Sequence, residues 1–356
     1  MKLGNNSLWG QRDTLVRIKP LAATVLAAAA ALLAATAASV LGSGFLLCIS
    51  GVILAFLFAA DRSIISLAAV PAAYLFSLLF TRDLTLSLTS LLFLPFGLAL
   101  AICVMRQLSL SHTTVVMTVM SALCVGTLFA VWTVKLYGGT LSESFKLYMA
   151  DLRSAYDSMA DMVVSVTDDA GISIISRDAL DSLAASVKLI LPGILVLMCE
   201  LWAYGSAKLF RLFSIIFKCG DLFRRPWRVS VALPTSALFV VCFIICMFAT
   251  GNSKNDIVNI IAYSAANLMY ILLPLSAISG FHAMFGAGGA FRRSRSVGFR
   301  VLLIVMCGVS FFINPLMLCA MLAIWGAFES MRRSSLEKRK RENGDGSGDG
   351  THGSDF

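Results

Sequence analysis

Long apolar runs separated by short polar stretches make up most of the sequence. The runs are continuous and lack the apolar–polar alternation of a membrane β-barrel, so we expect helices, whose backbone groups pair within their own segment. A helix of about 20 apolar residues is long enough to cross the hydrocarbon core of a bilayer. The pattern predicts eight spans, at Leu21–Leu41, Phe45–Ala60, Ser63–Phe80, Leu84–Met105, Thr113–Val134, Val187–Phe210, Val229–Ala249 and Ile257–Phe285.

A ninth apolar segment, Gly298–Phe328, has Asn314-Pro315 at its centre, a dipeptide that favours turns. Two half-helices of about 13 residues, each rising ~20 Å, could enter and leave the membrane on one side as a re-entrant hairpin. The alternative is one long helix that is kinked at Pro315 and crosses the membrane. The predicted fold is therefore an all-α, polytopic transmembrane helix bundle with eight spans plus a C-terminal re-entrant hairpin, or with nine spans.

Composition supports lipid as the solvent for much of the chain. Of the 356 residues, 58% are hydrophobic and only 14% are charged, and the mean hydropathy is +0.84. Soluble domains are about half apolar and about a quarter charged. The formal net charge is +9, but the Lys and Arg residues lie in short loops that flank apolar runs. This distribution is typical of cytoplasmic loops, so the predicted partner is the lipid bilayer and not nucleic acid.

The same charges predict the orientation, because Lys and Arg concentrate in cytoplasmic loops. The N-terminal arm is basic, and so are the loops after the sixth and eighth spans. Segment 138–186 instead holds eight acidic residues against three basic ones, so we expect it outside. The chain is therefore predicted to be a multi-pass protein of the bacterial cytoplasmic membrane with a cytoplasmic N-terminus. The basic pairs Arg332-Arg333 and Lys338-Arg339 then favour the re-entrant hairpin, which keeps the C-terminal tail in the cytoplasm.

Four parts follow from the spans and the charges. They are an N-terminal five-span bundle (1–137), an extracytoplasmic amphipathic helical segment (138–186), a C-terminal membrane part (187–330) and a basic, then disordered, cytoplasmic tail (331–356). From Glu342 onward the tail is rich in Gly, Ser and Asp, and it has too few apolar residues to bury a core.

The extracytoplasmic segment carries apolar residues at alternating spacings of four and three, which predicts a helix with a single apolar seam. Thr140 and Glu143 have the spacing of a capping box at its start. We expect the seam to pack on the protein's own helices, and dimerisation or partner docking is the alternative. The seam consists of Phe145, Met149, Leu152, Tyr156, Met159, Val163 and Val166.

The first span carries a row of small residues at Ala23, Ala27, Ala31 and Ala35. Small residues spaced by four let helix backbones approach closely in lipid. The row is expected either to pack within the protein's own bundle or to dock another membrane subunit.

Glu200 is the one acidic residue well inside a predicted span. A carboxylate at that depth is costly, so it must face protein, water or a ligand, and a ligand-binding role is the default hypothesis. Tyr263, Asn267 and Tyr270 lie at helical spacing in the eighth span, with Tyr270 at the depth of Glu200. We therefore predict a ligand-binding cavity lined by these four residues; helix bridging is the structural alternative for the last three.

Catalytic and metal-binding signatures are missing from the sequence. It contains no phosphate-binding loop ending in Gly-Lys-Ser/Thr, no HExxH motif and no GxSxG motif. Eight of the nine cysteines lie in apolar runs, which is typical of buried small hydrophobic residues. No nucleophile–base pair is visible, so no enzyme, metal or cofactor is predicted.

The C-terminal third resembles the YybS-like family of uncharacterised bacterial membrane proteins. The residues that carry the resemblance are Phe223–Trp227 with Leu233-Pro234, Asn267–Leu273, Ser279–His282, and Phe311–Pro315 with Gly326 and Arg332-Arg333. That family is similar in helix pattern to the substrate-binding subunits of energy-coupling-factor transporters. The resemblance implies a small-molecule-binding or transport-related subunit without its own ATPase, whose partners are membrane subunits and an ATPase. The alternative is a structural or regulatory membrane protein of the cell envelope.

Overall fold

A computed structural model describes residues 18–40, 43–60, 63–169, 177–218, 231, 233–248, 256–285, 296–313 and 315–345. All regular elements of this part of the chain are helical, which confirms the predicted all-α fold. The helices are α1 (Pro20–Ser39), α2 (Gly44–Ala59), α3 (Ser63–Thr81), α4 (Leu84–Thr89), α5 (Phe93–Met105), α6 (Leu110–Tyr137), α7 (Leu141–Asp169), α8 (Arg177–Ile216), α9 (Leu233–Phe248), α10 (Asp256–Phe285), α11 (Val297–Ile313) and α12 (Pro315–Asp345).

Six helical segments of the described chain are long and apolar enough to cross a membrane. They are Pro20–Ser39, Ile64–Thr81, Leu84–Met105, Leu110–Tyr137, Leu180–Ile216 and Ile257–Phe285. Two further predicted spans correspond to α2 and α9, which are apolar but have only 16 residues each. The chain thus has the helices of a multi-pass membrane protein.

The chain divides into two compact units. One contains Met1–Ala185 and Met198–Trp227, and the other contains Ser186–Leu197 and Arg228–Phe356. Helix α8 contributes residues to both units.

Helix α2 forms the core of the first unit, because most of its side chains are buried by protein. Helix α1 packs against α3 and α2, and the Ser50 hydroxyl donates to the Ala30 carbonyl oxygen over 2.7 Å. Glycines bring α2 and α5 together, since a methyl group at Gly51 would lie 2.5 Å from a ring carbon of Phe96. Helix α2 can form this core with only 16 residues because protein side chains surround it.

Side-chain contacts join the C-terminal ends of α1, α3 and α6 at one end of the first unit. The Trp132 indole N–H donates to the Ala38 carbonyl oxygen over 3.1 Å, and Lys135 forms an ion pair with Asp83. Asp83 also caps α4 by accepting from the backbone N–H groups of Thr85 and Leu86, at 2.8 and 3.0 Å. The ion pair, followed by the cap, lowers the pKa of Asp83. Helices α1, α3 and α6 therefore run in the same direction, as alternate spans do in a chain that crosses the membrane in turn.

Helix α7 begins at the predicted capping box, which the structure confirms. The Thr140 N–H donates to Glu143 over 2.9 Å, and the Glu143 N–H donates to the Thr140 hydroxyl over 3.3 Å. Gly138 and Gly139, at φ +73° and +76°, adopt the left-handed backbone that separates α6 from α7.

The expectation that the seam packs on the protein's own helices is wrong for much of its length. Phe145 is 47% exposed, Leu152 is 46% exposed and Met159 is 67% exposed. Helix α7 contacts the rest of its unit through other faces, described below, so the apolar stripe does not mark the side that is buried.

The second unit is built on α10, which packs against α12 and α9. A methyl group at Gly280 of α10 would overlap the Leu322 carbonyl oxygen of α12, and one at Gly326 would lie 2.5 Å from the Ser276 carbonyl oxygen. These two glycines therefore allow the backbones of α10 and α12 to touch.

The predicted break in the ninth apolar segment lies between α11 and α12. Helix α12 continues to Asp345, so the first four residues of the tail expected to be disordered are helical instead. Residues 346–356 lie outside the described part of the chain. The side of the membrane on which α12 ends stays a prediction.

Candidate functional site

Glu200 lies on the buried stripe of α8 within the first unit. It is only 6% exposed, and Ala203, Ala207 and Phe210, on the same side of the helix, are fully buried. Phe210 packs edge-on against Phe56 of α2, with ring centroids 5.9 Å apart, and this contact fixes the stripe against the core. The position of Glu200 therefore follows from the helical spacing of the residues around it.

The carboxylate of Glu200 has a buried oxygen, Oε2, with no hydrogen-bond partner in the described part of the chain. A buried polar atom without a partner costs roughly 1–3 kcal/mol. The alanines one and two turns further along offer methyl groups only. The carboxyl group is therefore placed where a cation or a hydrogen-bond donor would gain most from binding it.

Asn267 joins α10 to α8 within the second unit through both ends of its amide. Its Oδ1 accepts from the Gly193 N–H over 2.7 Å, and its Nδ2 donates to the Leu189 carbonyl oxygen over 2.9 Å. These two backbone groups pair with each other in an uninterrupted α-helix. The asparagine amide thus bridges one rung of the α8 hydrogen-bond ladder.

The rung lies beside Pro192, which has no N–H and already removes one helical hydrogen bond. Gly193 is required for the close approach, because a methyl group there would lie 2.9 Å from the Cα and the carbonyl oxygen of Asn267. Side chains that insert into the helical ladder and prolines are both recognised causes of helix kinks. The contact combines the two causes at one point of a helix that is a candidate span.

Tyr263 and Tyr270 have different surroundings in the second unit. The backbone carbonyl oxygen of Tyr263 accepts from Asn267 Nδ2 over 3.0 Å. Tyr270 is partly buried and packs against the apolar cluster that contains Phe239 and Leu273. Tyr270 is thus at least partly a packing residue, and Asn267 takes the helix-bridging role that the sequence left open.

Glu200 belongs to the first unit, whereas Tyr263, Asn267 and Tyr270 belong to the second. Their approach across one ligand-binding cavity therefore stays a prediction. Sequence reasoning missed Gly193, although the Pro-Gly pair in the middle of an apolar run was a signal for an interrupted helix.

The small-residue row of α1 is used inside the protein. All four of its residues, Ala23, Ala27, Ala31 and Ala35, are buried in the first unit. Internal packing, one of the two alternatives for this row, accounts for them, and no docking surface is exposed at these positions.

A charged network fixes α7 to the start of α8. Arg177 donates to Asp157 over 2.6 Å and to Asp161 over 2.5 Å, and it lies 3.5 Å from Asp181. Its guanidinium also lies 5.9 Å from the ring centroid of Tyr156. The sequence predicted an acidic external segment, but it did not single out Arg177 as the residue that joins three of its carboxylates.

Metal binding has no support in the described part of the chain, where no group of three or more His, Cys, Asp or Glu side chains could hold an ion. The eight cysteines described are all free thiols, and Cys219 lies outside the described residues.

Comparison of the chain with protein-family models, curated proteins and solved structures gives no match. The resemblance to the YybS-like family stays a prediction that is carried by the sequence segments quoted above.

Proposed function

We propose that this chain is the small-molecule-binding subunit of a transport system in the bacterial cytoplasmic membrane, without an ATPase of its own. The observation that carries the proposal is the buried, unpartnered carboxyl oxygen of Glu200 in a candidate membrane span. Intramembrane acids are costly and usually mark a ligand or ion pathway.

The chemistry of Glu200 defines the class of ligand. A carboxyl group offers hydrogen-bond acceptors, or a negative charge, to an ammonium, guanidinium or hydroxyl group. The fully buried Ala203 and Ala207 on the same helix stripe add apolar surface. The ligand is therefore a small molecule that combines a cationic or donor group with an apolar part.

The interrupted α8 ladder supports the same function. Irregular backbone is tolerated at membrane depth where protein covers it or where it lines a cavity, and interrupted helices commonly form transporter binding sites. Asn267 pairs with two backbone groups of α8 beside Pro192, where the helical ladder already lacks one hydrogen bond.

The proposed partners are membrane subunits and an ATPase. The sequence lacks a phosphate-binding loop, and the YybS-like resemblance implies energy from other polypeptides. Because the small-residue row of α1 is buried, these subunits would bind elsewhere on the surface.

The proposed topology has a cytoplasmic N-terminus, eight spans and a cytoplasmic tail after a C-terminal re-entrant hairpin. It includes α2 and α9 as spans, because both helices are apolar and pack within the protein. A reporter fused after residue 160 should read as external, and one fused after residue 340 as cytoplasmic.

Small molecules retained by the purified chain test the function. The wild type and Glu200→Gln are purified in nanodiscs of native lipid, and the extracts are compared by mass spectrometry. Ser206→Ala is the matched control, because Ser206 is also buried in α8. We expect one compound with a cationic or donor group to be retained by the wild type and by Ser206→Ala, and lost from Glu200→Gln. Equal retention by all three chains, or no retained compound, contradicts the proposal.

A structural or regulatory role in the cell envelope is the second candidate function. The observation that favours it is the exposed seam of α7, since such a role requires a surface for a partner. What covers that seam therefore separates the two candidates.

A further inference from the structure

The seam of α7 is exposed although the helix itself is fixed in the first unit. Tyr148 packs against Phe129 of α6 with ring centroids 5.2 Å apart, and Tyr137 donates to Asp151 over 2.8 Å. On the remaining side, Arg177 binds Asp157 and Asp161. Helix α7 thus uses other faces for most of its internal contacts, and its apolar seam remains exposed at Phe145, Leu152 and Met159.

The charges around the seam show which partner fits it. Lys146 and Arg153 each follow a seam residue directly, Phe145 and Leu152, so both cations lie along the same edge of the seam. Of the two acids of α7 that bind Arg177, Asp157 lies on that edge, where the guanidinium neutralises it, and Asp161 lies further round the helix. Cations that border an apolar stripe are typical of helices at a lipid surface, where their long side chains reach the phosphate groups.

A second copy of the chain fits less well. In an antiparallel pair of α7 helices, the edge with Lys146 and Arg153 would face the same edge of the partner helix, cation against cation. In a parallel pair it would face the opposite edge, where Leu141 and Tyr148 offer no acid. The acid on the edge of Lys146 and Arg153, Asp157, already binds Arg177, so neither arrangement supplies uncommitted opposite charges to flank a paired seam.

The apolar surface also continues from a candidate span onto α7. Leu136, near the end of α6, and Leu141, at the start of α7, are both exposed on either side of the Gly138-Gly139 turn. Exposed apolar surface at the end of α6 is therefore followed at once by exposed apolar surface at the start of α7.

We propose that α7 lies against the lipid surface, with its seam in the boundary between acyl chains and headgroups. Lys146 and Arg153 bind lipid phosphate groups beside it. This inference rests on α7 alone and is independent of the ligand-binding role of Glu200.

Spin-label accessibility distinguishes lipid, protein and water around the seam. The full chain carries one introduced cysteine, Met159→Cys on the seam or Ser158→Cys as the matched control at the preceding, exposed position. Each variant is placed in nanodiscs of equal amounts of phosphatidylglycerol and phosphatidylcholine, and the signal of the unsubstituted chain, labelled in parallel, is subtracted. Collisions with oxygen, which concentrates in lipid, are compared with collisions with a water-soluble nickel chelate.

We expect the oxygen-to-nickel collision ratio to be several-fold higher at position 159 than at position 158. A label at 159 that neither reagent reaches would show that protein covers the seam, and would overturn the inference in favour of a second copy or another partner. Ready access of the nickel chelate at both positions would place the seam in water and overturn it as well. Leu152→Cys, with Ser154→Cys as control, repeats the comparison if either first variant fails to fold.

Discussion

Replacing Gly193 by alanine tests the contact between α8 and α10 most sharply. The added methyl group would lie 2.9 Å from the Cα, the carbonyl oxygen and the Oδ1 of Asn267. Two of these atoms belong to the backbone, so a change of rotamer cannot make room, and α10 must move away from α8. Forced shifts of this kind cost about 1–3 kcal/mol.

Two smaller effects oppose each other in the same variant. The movement weakens the hydrogen bond from the Gly193 N–H to Asn267, a type of interhelical bond that is worth about 0.6 kcal/mol in membrane proteins. Alanine in place of glycine favours the helix by about 0.8–1.0 kcal/mol. The net expectation is a loss of about 1–2 kcal/mol in the free energy of unfolding.

Gly205→Ala is the matched control in the same helix, because a methyl group there meets nothing within 4 Å. It should gain up to about 1 kcal/mol from helix propensity alone. Unfolding by sodium dodecyl sulfate in mixed micelles, followed by far-ultraviolet circular dichroism, measures both variants. If Gly193→Ala is as stable as Gly205→Ala, α8 and α10 do not touch at this point and the bridging role of Asn267 is refuted.

Three further outcomes are expected from other contacts. The pKa of Asp83 is lowered mainly by Lys135, so its contribution to stability is present above the ordinary pKa of 3.8 and is lost as the pH falls through the lowered value. Asp83→Asn should therefore reduce the loss of thermal stability below about pH 4, and an unchanged pH profile would count against the ion pair. Ala31→Leu should destabilise the chain by about 1–3 kcal/mol because this alanine is fully buried, and normal stability with loss of a co-purifying membrane subunit would instead indicate docking. Gly280→Ala should lower the midpoint of thermal unfolding, whereas Gly126→Ala, whose methyl group meets nothing within 4 Å, should not; equal midpoints would contradict the contact between α10 and α12.

The membrane helices could be predicted from the sequence because their signal is local. The length of an apolar run is enough to predict a membrane helix, and the spacing of Thr140 and Glu143 is enough to predict the hydrogen bonds of the capping box. The break at Asn314-Pro315 could also be predicted, because the dipeptide alone favours a turn. These features depend on a few neighbouring residues and not on how the helices pack.

Contacts between helices could not be predicted in the same way, because they depend on which helix faces pack together. Asn267 in an apolar run is equally consistent with a ligand contact and with a backbone partner, and only the position of Gly193 decides between them. The seam of α7 was expected to be buried, but Arg177 and Tyr148 fix the helix through its other faces. The small-residue row that includes Ala31 was equally consistent with internal packing and with docking of another subunit. In the structure the row is buried, and α1 packs against α2 and α3.

The free energy of unfolding of Glu200→Leu, without added ligand, tests the central claim most directly. If Glu200 is kept for a ligand, an apolar residue of similar size removes an unpartnered buried oxygen and should leave stability unchanged or raise it by up to roughly 3 kcal/mol. Glu200→Gln, which keeps the volume and one acceptor oxygen, should remain close to the wild type. A loss of more than about 2 kcal/mol in Glu200→Leu would show that the carboxyl group stabilises the bundle itself, and would contradict its assignment to a ligand.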